Sequence, residues 1–183
     1  MDQDRIEKLI AKLIQELGDD PHREGLKETP ARVARSYEKL FGGYKGDPKE
    51  LVTEFEGEDY DEMIICKHID FYSTCEHHML PFFGKAHIGY LPNRKIIGIS
   101  KLPRIVEIFA RRMQNQERLT MQIAKTLDDL LNPKGVGVVV DAQHLCMMSR
   151  GVEKQNAVIT TSSFTNAFRT NEKTRSEFLR LIG

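Results

Sequence analysis

The chain has 183 residues, with 27 Lys+Arg against 27 Asp+Glu, so its formal net charge is zero. That balance argues against bulk electrostatic binding of nucleic acid or an acidic membrane, either of which favours a strongly basic domain, so any anion site has to be local. With 40% hydrophobic and 30% charged residues and no window near the ~20 apolar residues of a membrane span, the composition is that of a globular chain able to bury a core without disulfide staples.

The opening MDQDRIEKLI carries acids and helical periodicity where a signal peptide has a basic stretch and then an apolar run, so a cytoplasmic location is expected. Ile6, Leu9, Ile10, Leu13, Ile14 and Leu17 recur at helical spacing up to Gly18, which predicts an amphipathic helix over 2–17. Thr29-Pro30 starts a second helix, as an N-cap followed by proline, that runs to Gly42-Gly43, and Asp47-Pro48 opens one short turn more. From Glu62 the pattern changes to alternation. MIICKHIDFYST and FFGKAHIGYLP read as strands around a Glu-His-His-Met-Leu-Pro connection, and KIIGIS as a shorter strand. Leu102-Pro103 launches a helix burying Ile105, Val106, Ile108 and Phe109, and 116–131 gives another that breaks at Asn132-Pro133. GVGVVVDAQHLCMM and VEKQNAVITTSSF read as two strands joined by the Ser149-Arg150-Gly151 turn, and 171–181 as a closing helix. The order implies α+β, with a mainly antiparallel sheet and helices on one face, and long edge strands that invite pairing between subunits.

Three cysteines are too few and odd in number for a secreted scaffold, so they read as thiols in a reducing compartment. Cys75 and His78 stand three apart in a connection, a spacing that lets thiolate and imidazole converge on one ion, and Cys146 could supply a third ligand. Two cysteines and one histidine leave a fourth zinc position open, the pattern of catalytic rather than structural sites. The competing reading is a buried strand thiol and two merely polar histidines. His144 and Cys146, two apart on a predicted strand, share a face. His144 is then either a proton shuttle beside a metal or a hydrogen-bonded sheet residue. His68 and His87 have no such companions and read as structural, and Cys66 as core.

Ser100-Lys101-Leu102-Pro103-Arg104 places a hydroxyl and two cations at a helix N-terminus, where backbone N–H groups favour anions, although a solvated helix start has the same composition. Arg150 could add a further cation. Glu117 in a first helical turn is either a dipole-compatible surface residue or the acceptor for a guanine edge with its two adjacent N–H donors. Glu76 is either part of the metal cluster's surroundings or simply exposed.

Taken together, Thr29-Pro30-Ala31-Arg32-Val33-Ala34, Ser73-Thr74-Cys75-Glu76-His77-His78, Gly98-Ile99-Ser100-Lys101-Leu102-Pro103-Arg104, Gln114-Asn115-Gln116-Glu117-Arg118-Leu119-Thr120 and His144-Leu145-Cys146-Met147-Met148-Ser149-Arg150-Gly151 resemble the GTP cyclohydrolase I family. The resemblance runs from about Thr29 to the end, departing at Met113, Asn115 and Ile99. It implies a tunnelling fold, a four-stranded antiparallel sheet with helices on one face, as a catalytic domain over 61–183 preceded by a helical segment over 1–60. It further implies zinc held by Cys75, His78 and Cys146, with His77 and His144 beside the reacting ring as catalytic groups. Glu117 would anchor guanine, and Ser100, Lys101, Arg104 and Arg150 would bind the triphosphate of GTP, with Arg32 reaching in from a neighbouring subunit. The implied assembly is a toroidal homodecamer with sites at subunit interfaces, and the implied reaction is hydrolysis at C8 with release of formate. An inactive zinc- and ligand-binding oligomer of the same fold is the alternative.

Overall fold

The switch from helical to alternating periodicity near Glu62 is where the main sheet begins. The structure, a computed structural model, describes residues 1–51, 54–57 and 60–183. The chain packs as two units, Met1–Gly42 and Gly43–Gly183.

The first unit is a helix pair, α1 (Gln3–Glu16) and α2 (Thr29–Leu40). Asp2 caps α1 by accepting a hydrogen bond from the Arg5 N–H at 3.0 Å. The predicted apolar stripe forms, yet no α1 residue is buried, and Leu9, Leu13 and Leu17 are all exposed.

A 3-10 turn at Gly42–Lys45 crosses from the first unit into the second, which continues through α3 (Pro48–Leu51), β1 (Glu54–Glu56), β2 (Ile64–Cys75), β3 (Pro81–Leu91), β4 (Lys95–Ile97), α4 (Lys101–Ala110), β5 (Met113–Gln114), α5 (Gln116–Leu131), β6 (Gly135–His144), α6 (Leu145–Met148), β7 (Ile159–Phe164), α7 (Asn166–Thr170) and α8 (Glu172–Ile182). Gly43 belongs to this unit by necessity. Its N–H bonds the Arg111 carbonyl at 3.0 Å, and a Cβ there would sit 2.2 Å from the Ile108 oxygen.

The main sheet has the order β5-β2-β3-β6-β7, and a separate two-stranded sheet pairs β1 with β4. The four longer strands of the main sheet are antiparallel, as the tunnelling-fold reading expects, and β5 adds two residues in parallel to β2, Met113 opposite Thr74 and Gln114 opposite Cys75. α4 and α5 cover one face. Alternation along β6 sends Val136, Val138, Val140 and Ala142 into the core with Ile105, Leu119, Ile123 and Leu127, each large aliphatic side chain contributing roughly 1.5–3 kcal/mol by burial.

The opposite face has its own smaller cluster, which the sequence reading did not contain. Val139 packs there with Phe168 of α7 and Phe178 of α8. The helices approach so closely that a Cβ on Gly137 would lie 2.6 Å from the Phe168 ring and one on Gly89 2.7 Å from that of Phe178. None of the described helices is long and apolar enough to cross a membrane.

Three elements differ from expectation. β6 ends at His144, and Leu145–Met148 forms a helical turn, so Cys146 is not on a strand. The strand expected from Val152 begins only at Ile159. The polar run before it folds back instead, the Lys154 N–H bonding the Met147 carbonyl at 3.1 Å and Gln155 Nε2 the Met148 carbonyl at 2.9 Å. KIIGIS keeps strand pairing only through Ile97, because the Lys101 N–H turns back to the Gly98 carbonyl to start α4.

Candidate metal and substrate site

Cys75 is the last residue of β2, and its backbone closes a tight loop: its N–H bonds the Leu80 carbonyl at 2.8 Å and its own carbonyl accepts from the Met79 N–H at 2.8 Å. Met79 turns the corner with φ of 55°. This loop presents Glu76, His77 and His78, while α6 brings in Cys146 from 71 positions away.

The ligand atoms of Cys75, His78 and Cys146 lie within 4.8 Å of one another, the one such group of three among the described residues. The two Sγ atoms are 3.9 Å apart, and Cys75 Sγ is 3.9 Å from His78 Nδ1. A disulfide would need about 2.05 Å. A tetrahedral ion with Zn–S near 2.3 Å and Zn–N near 2.0–2.1 Å would need edges of about 3.8 and 3.6 Å. The donor set therefore fits a metal ion with three protein ligands. Burial pushes the Cys146 thiol up, and the neighbouring Cys75 adds to this, with Arg150 opposing. Two adjacent thiols resist ionising together unless a cation sits between them.

His77 lies on the same loop, its Nδ1 also 3.9 Å from Cys75 Sγ, but it is outside the group of three and its side chain is mostly exposed. His144 ends β6, its ring stacked on Phe82 with centroids 4.6 Å apart and planes at 3°. Burial holds the His144 imidazole below the usual histidine range, and Glu117 opposes that effect. Glu117 itself is exposed in the first turn of α5.

The start of α5 is tied to the metal loop by residues that the sequence reading assigned no role. Asn115 caps the helix by accepting from the Arg118 N–H at 2.8 Å and donates to Glu76 Oε1 at 2.7 Å. Arg118 pairs with Glu76 Oε2 and donates through Nε to Gln114 Oε1 at 2.7 Å. The Arg118 guanidinium, followed by Asn115, holds the Glu76 carboxyl below the usual carboxylate range. Gln116 is buried and accepts from His144 Nε2 at 2.8 Å. The available signal was the run Gln114-Asn115-Gln116, three consecutive amides at a helix start where one cap would suffice.

Ser100 and Arg104 are exposed and Lys101 half-buried at the N-terminus of α4, with no side-chain cap bond there. Among the described residues they share no hydrogen bond or ion pair with the Cys/His cluster. Arg150 is exposed just past α6, and Arg32 is exposed on α2 in the first unit. His68 and His87 lie apart from the site, ring centroids 5.0 Å from each other.

A model of the family described as GTP cyclohydrolase I matches residues 6–183. A GTP cyclohydrolase 1 from Chlorobaculum tepidum is 58% identical over 175 residues, covering 95% of this chain and 78% of that protein. Another from Porphyromonas gingivalis is 58% identical over 181 residues, 98% and 93% of the two chains, and one from Leptospira biflexa is 55% identical over 179 residues, 97% of each.

Proposed function

The chain belongs to the GTP cyclohydrolase I family, and we propose from that membership and the site's geometry that it opens the imidazole ring of GTP at C8, releases formate and closes a pterin ring. It is an enzyme, a hydrolase acting on GTP. The observation that carries the reading is the convergence of Cys75, His78 and Cys146 on one point from two distant segments. Three ligands with a fourth direction left over suit catalysis better than a purely structural ion.

Cys75, His78 and Cys146 would hold zinc. When bound, zinc supplies Lewis acidity that makes water a nucleophile near neutral pH. The protein's part is placement and proton traffic. Glu117 accepts from the two adjacent N–H donors of the guanine edge, a charged acceptor set at the helix turn next to the metal loop. Lys101, Arg104 and Arg150, with the Ser100 hydroxyl and Arg32 of a neighbouring subunit, hold the triphosphate. His144 donates a proton toward the purine ring, which makes C8 electrophilic, and His77 supports later transfers. Hydrolysis then opens the ring and frees C8 as formate, and the rearranged ribose carbons close the pyrazine ring of 7,8-dihydroneopterin triphosphate, the entry to folate or other pterin synthesis. Assembly as a homodecamer in the cytoplasm, with sites at subunit interfaces, belongs to the same reading. The exposed leucines of α1 are apolar surface suited to such contacts.

Incubating the zinc-loaded protein with GTP should yield formate and, after oxidation, a fluorescent pterin. No turnover by protein whose zinc content is confirmed would overturn the proposal.

A further inference from the structure

Gln116 is 1% exposed, and its amide group has all its polar contacts inside the protein. Nε2 lies 2.9 Å from the Val140 carbonyl oxygen and 2.8 Å from that of Ile159, linking β6 and β7, with Thr161 Oγ1 at 3.2 Å. Carbonyl oxygens only accept, so the amide nitrogen has to face them. Turned over, the amide would set Oε1 against two other oxygens.

The hydroxyls nearby agree with that orientation. Thr120 donates its one hydrogen to the Gln116 backbone carbonyl at 2.7 Å, so in its 2.7 Å contact with Thr161 it has only a lone pair to offer and Thr161 donates. The two hydrogens of Gln116 Nε2 go to the two carbonyl oxygens, so the 3.2 Å approach of Thr161 Oγ1 is a longer, shared third contact. Every direction in this small network is fixed, and Gln116 Oε1 has only lone pairs to present to His144 Nε2, 2.8 Å away. His144 must therefore carry its hydrogen on Nε2.

We propose that Gln116 is a positioning residue: it holds His144 as the Nε2–H tautomer, seated on Phe82, and so leaves Nδ1 as the ring atom that exchanges a proton with substrate. The Phe82 stack fixes the plane of the ring and the Gln116 amide fixes its rotation within that plane. Without the amide, the two tautomers would be nearly equal in energy, and the one with Nδ1–H could not load at Nδ1 the proton that the imidazolium then gives to the purine ring. The inference rests on the reading that His144 moves protons, but its primary test does not.

The test is solid-state NMR of the zinc-loaded, 15N-histidine-labelled protein under mildly alkaline conditions, with the His144 signal assigned by its loss in His144→Gln. Protonated Nε2 and bare Nδ1 are expected, and a protonated Nδ1 would overturn the proposal whatever the enzyme assay shows. In Gln116→Met, which keeps length and removes the acceptor, kcat should fall about 10- to 100-fold with KM for GTP within about twofold and zinc content unchanged. A loss confined to KM, or a kcat that does not move, would overturn the positioning role. If Gln116→Met fails to fold, the tautomer of the unaltered protein decides alone. If the unaltered protein fails to turn over GTP, the functional reading falls while the tautomer is still measured.

Discussion

Two pairs of histidines lie on or beside the same sheet and behave differently. His78 lies within reach of two thiols, and His144, at the end of β6, is held by a hydrogen-bonded amide network at the start of α5. His68 and His87 face each other on β2 and β3, beside Asp70, Lys85 and Asp141, in an open cavity of about 690 Å³ on the face opposite α4 and α5. Burial depresses both His87 and His144. What separates the pairs is the company they keep: thiol donors and an orienting amide at one end, and backbone and carboxylate at the other. His68 occupies a bulge between Cys66 and Ile69 with φ of 59°, and its N–H reaches His87 Nδ1 at 3.5 Å. A perturbed histidine alone marks burial, and convergence of further donors marks chemistry.

The comparison breaks most visibly at the metal end. Cys146→Ser should lose zinc and, with it, nearly all turnover, measured by metal analysis and formate release. Retention of zinc with two ligands would undo the three-ligand assignment. His144→Ala should keep zinc and lose about 10²- to 10⁴-fold in kcat, the usual share of a general acid. Equal zinc loss in both variants would merge the roles of ligand and acid. Glu117→Ala should act on binding instead, raising KM for GTP about 10- to 100-fold, the worth of a hydrogen-bonded charged acceptor. Unaltered GTP binding would return Glu117 to the role of a surface residue.

α4, α5 and the four long strands were legible because their signals are local, helical phase and alternation, as is the Cys75–His78 spacing, whereas Cys146 lies 71 positions away. The turn Leu145–Met148 was not legible, since an apolar Leu-Cys-Met-Met run carries neither a breaker nor a period that separates a strand end from a helical turn. The strand pairing of Met113 and Gln114 is too short to leave a pattern, although it places Glu76 against the start of α5. Gln116 stayed hidden because its partners lie 24 to 45 positions away and a glutamine at a helix start has many uses. The second helix layer did leave a trace, in Gly89 and Gly137, since glycine inside a strand often marks a close approach from above.

The smallest expected effect belongs to the histidine pair without a metal. His87 is buried at 4% exposure, and its Nδ1 accepts from the His68 N–H, so the ring proton sits on Nε2, 3.7 Å from Asp141 Oδ2. Burial lowers its affinity for a second proton, the neighbouring His68 adds to this together with Lys67 and Lys85, and Asp141 only partly offsets them. A histidine depressed in the folded state binds fewer protons there than in the unfolded chain. Its contribution to stability is therefore whole above the unfolded value of about 6.5 and is lost as pH falls toward the lower folded value. His87→Gln, which stays neutral, should show a smaller drop in Tm between about pH 7 and 5 than the unaltered protein, with zinc content and kcat at neutral pH unchanged. An identical acid profile would mean that Asp141 and bulk solvent already compensate the charge. A fall in kcat would mean that the two histidine pairs are coupled through β3, and the division drawn between them would have to be abandoned.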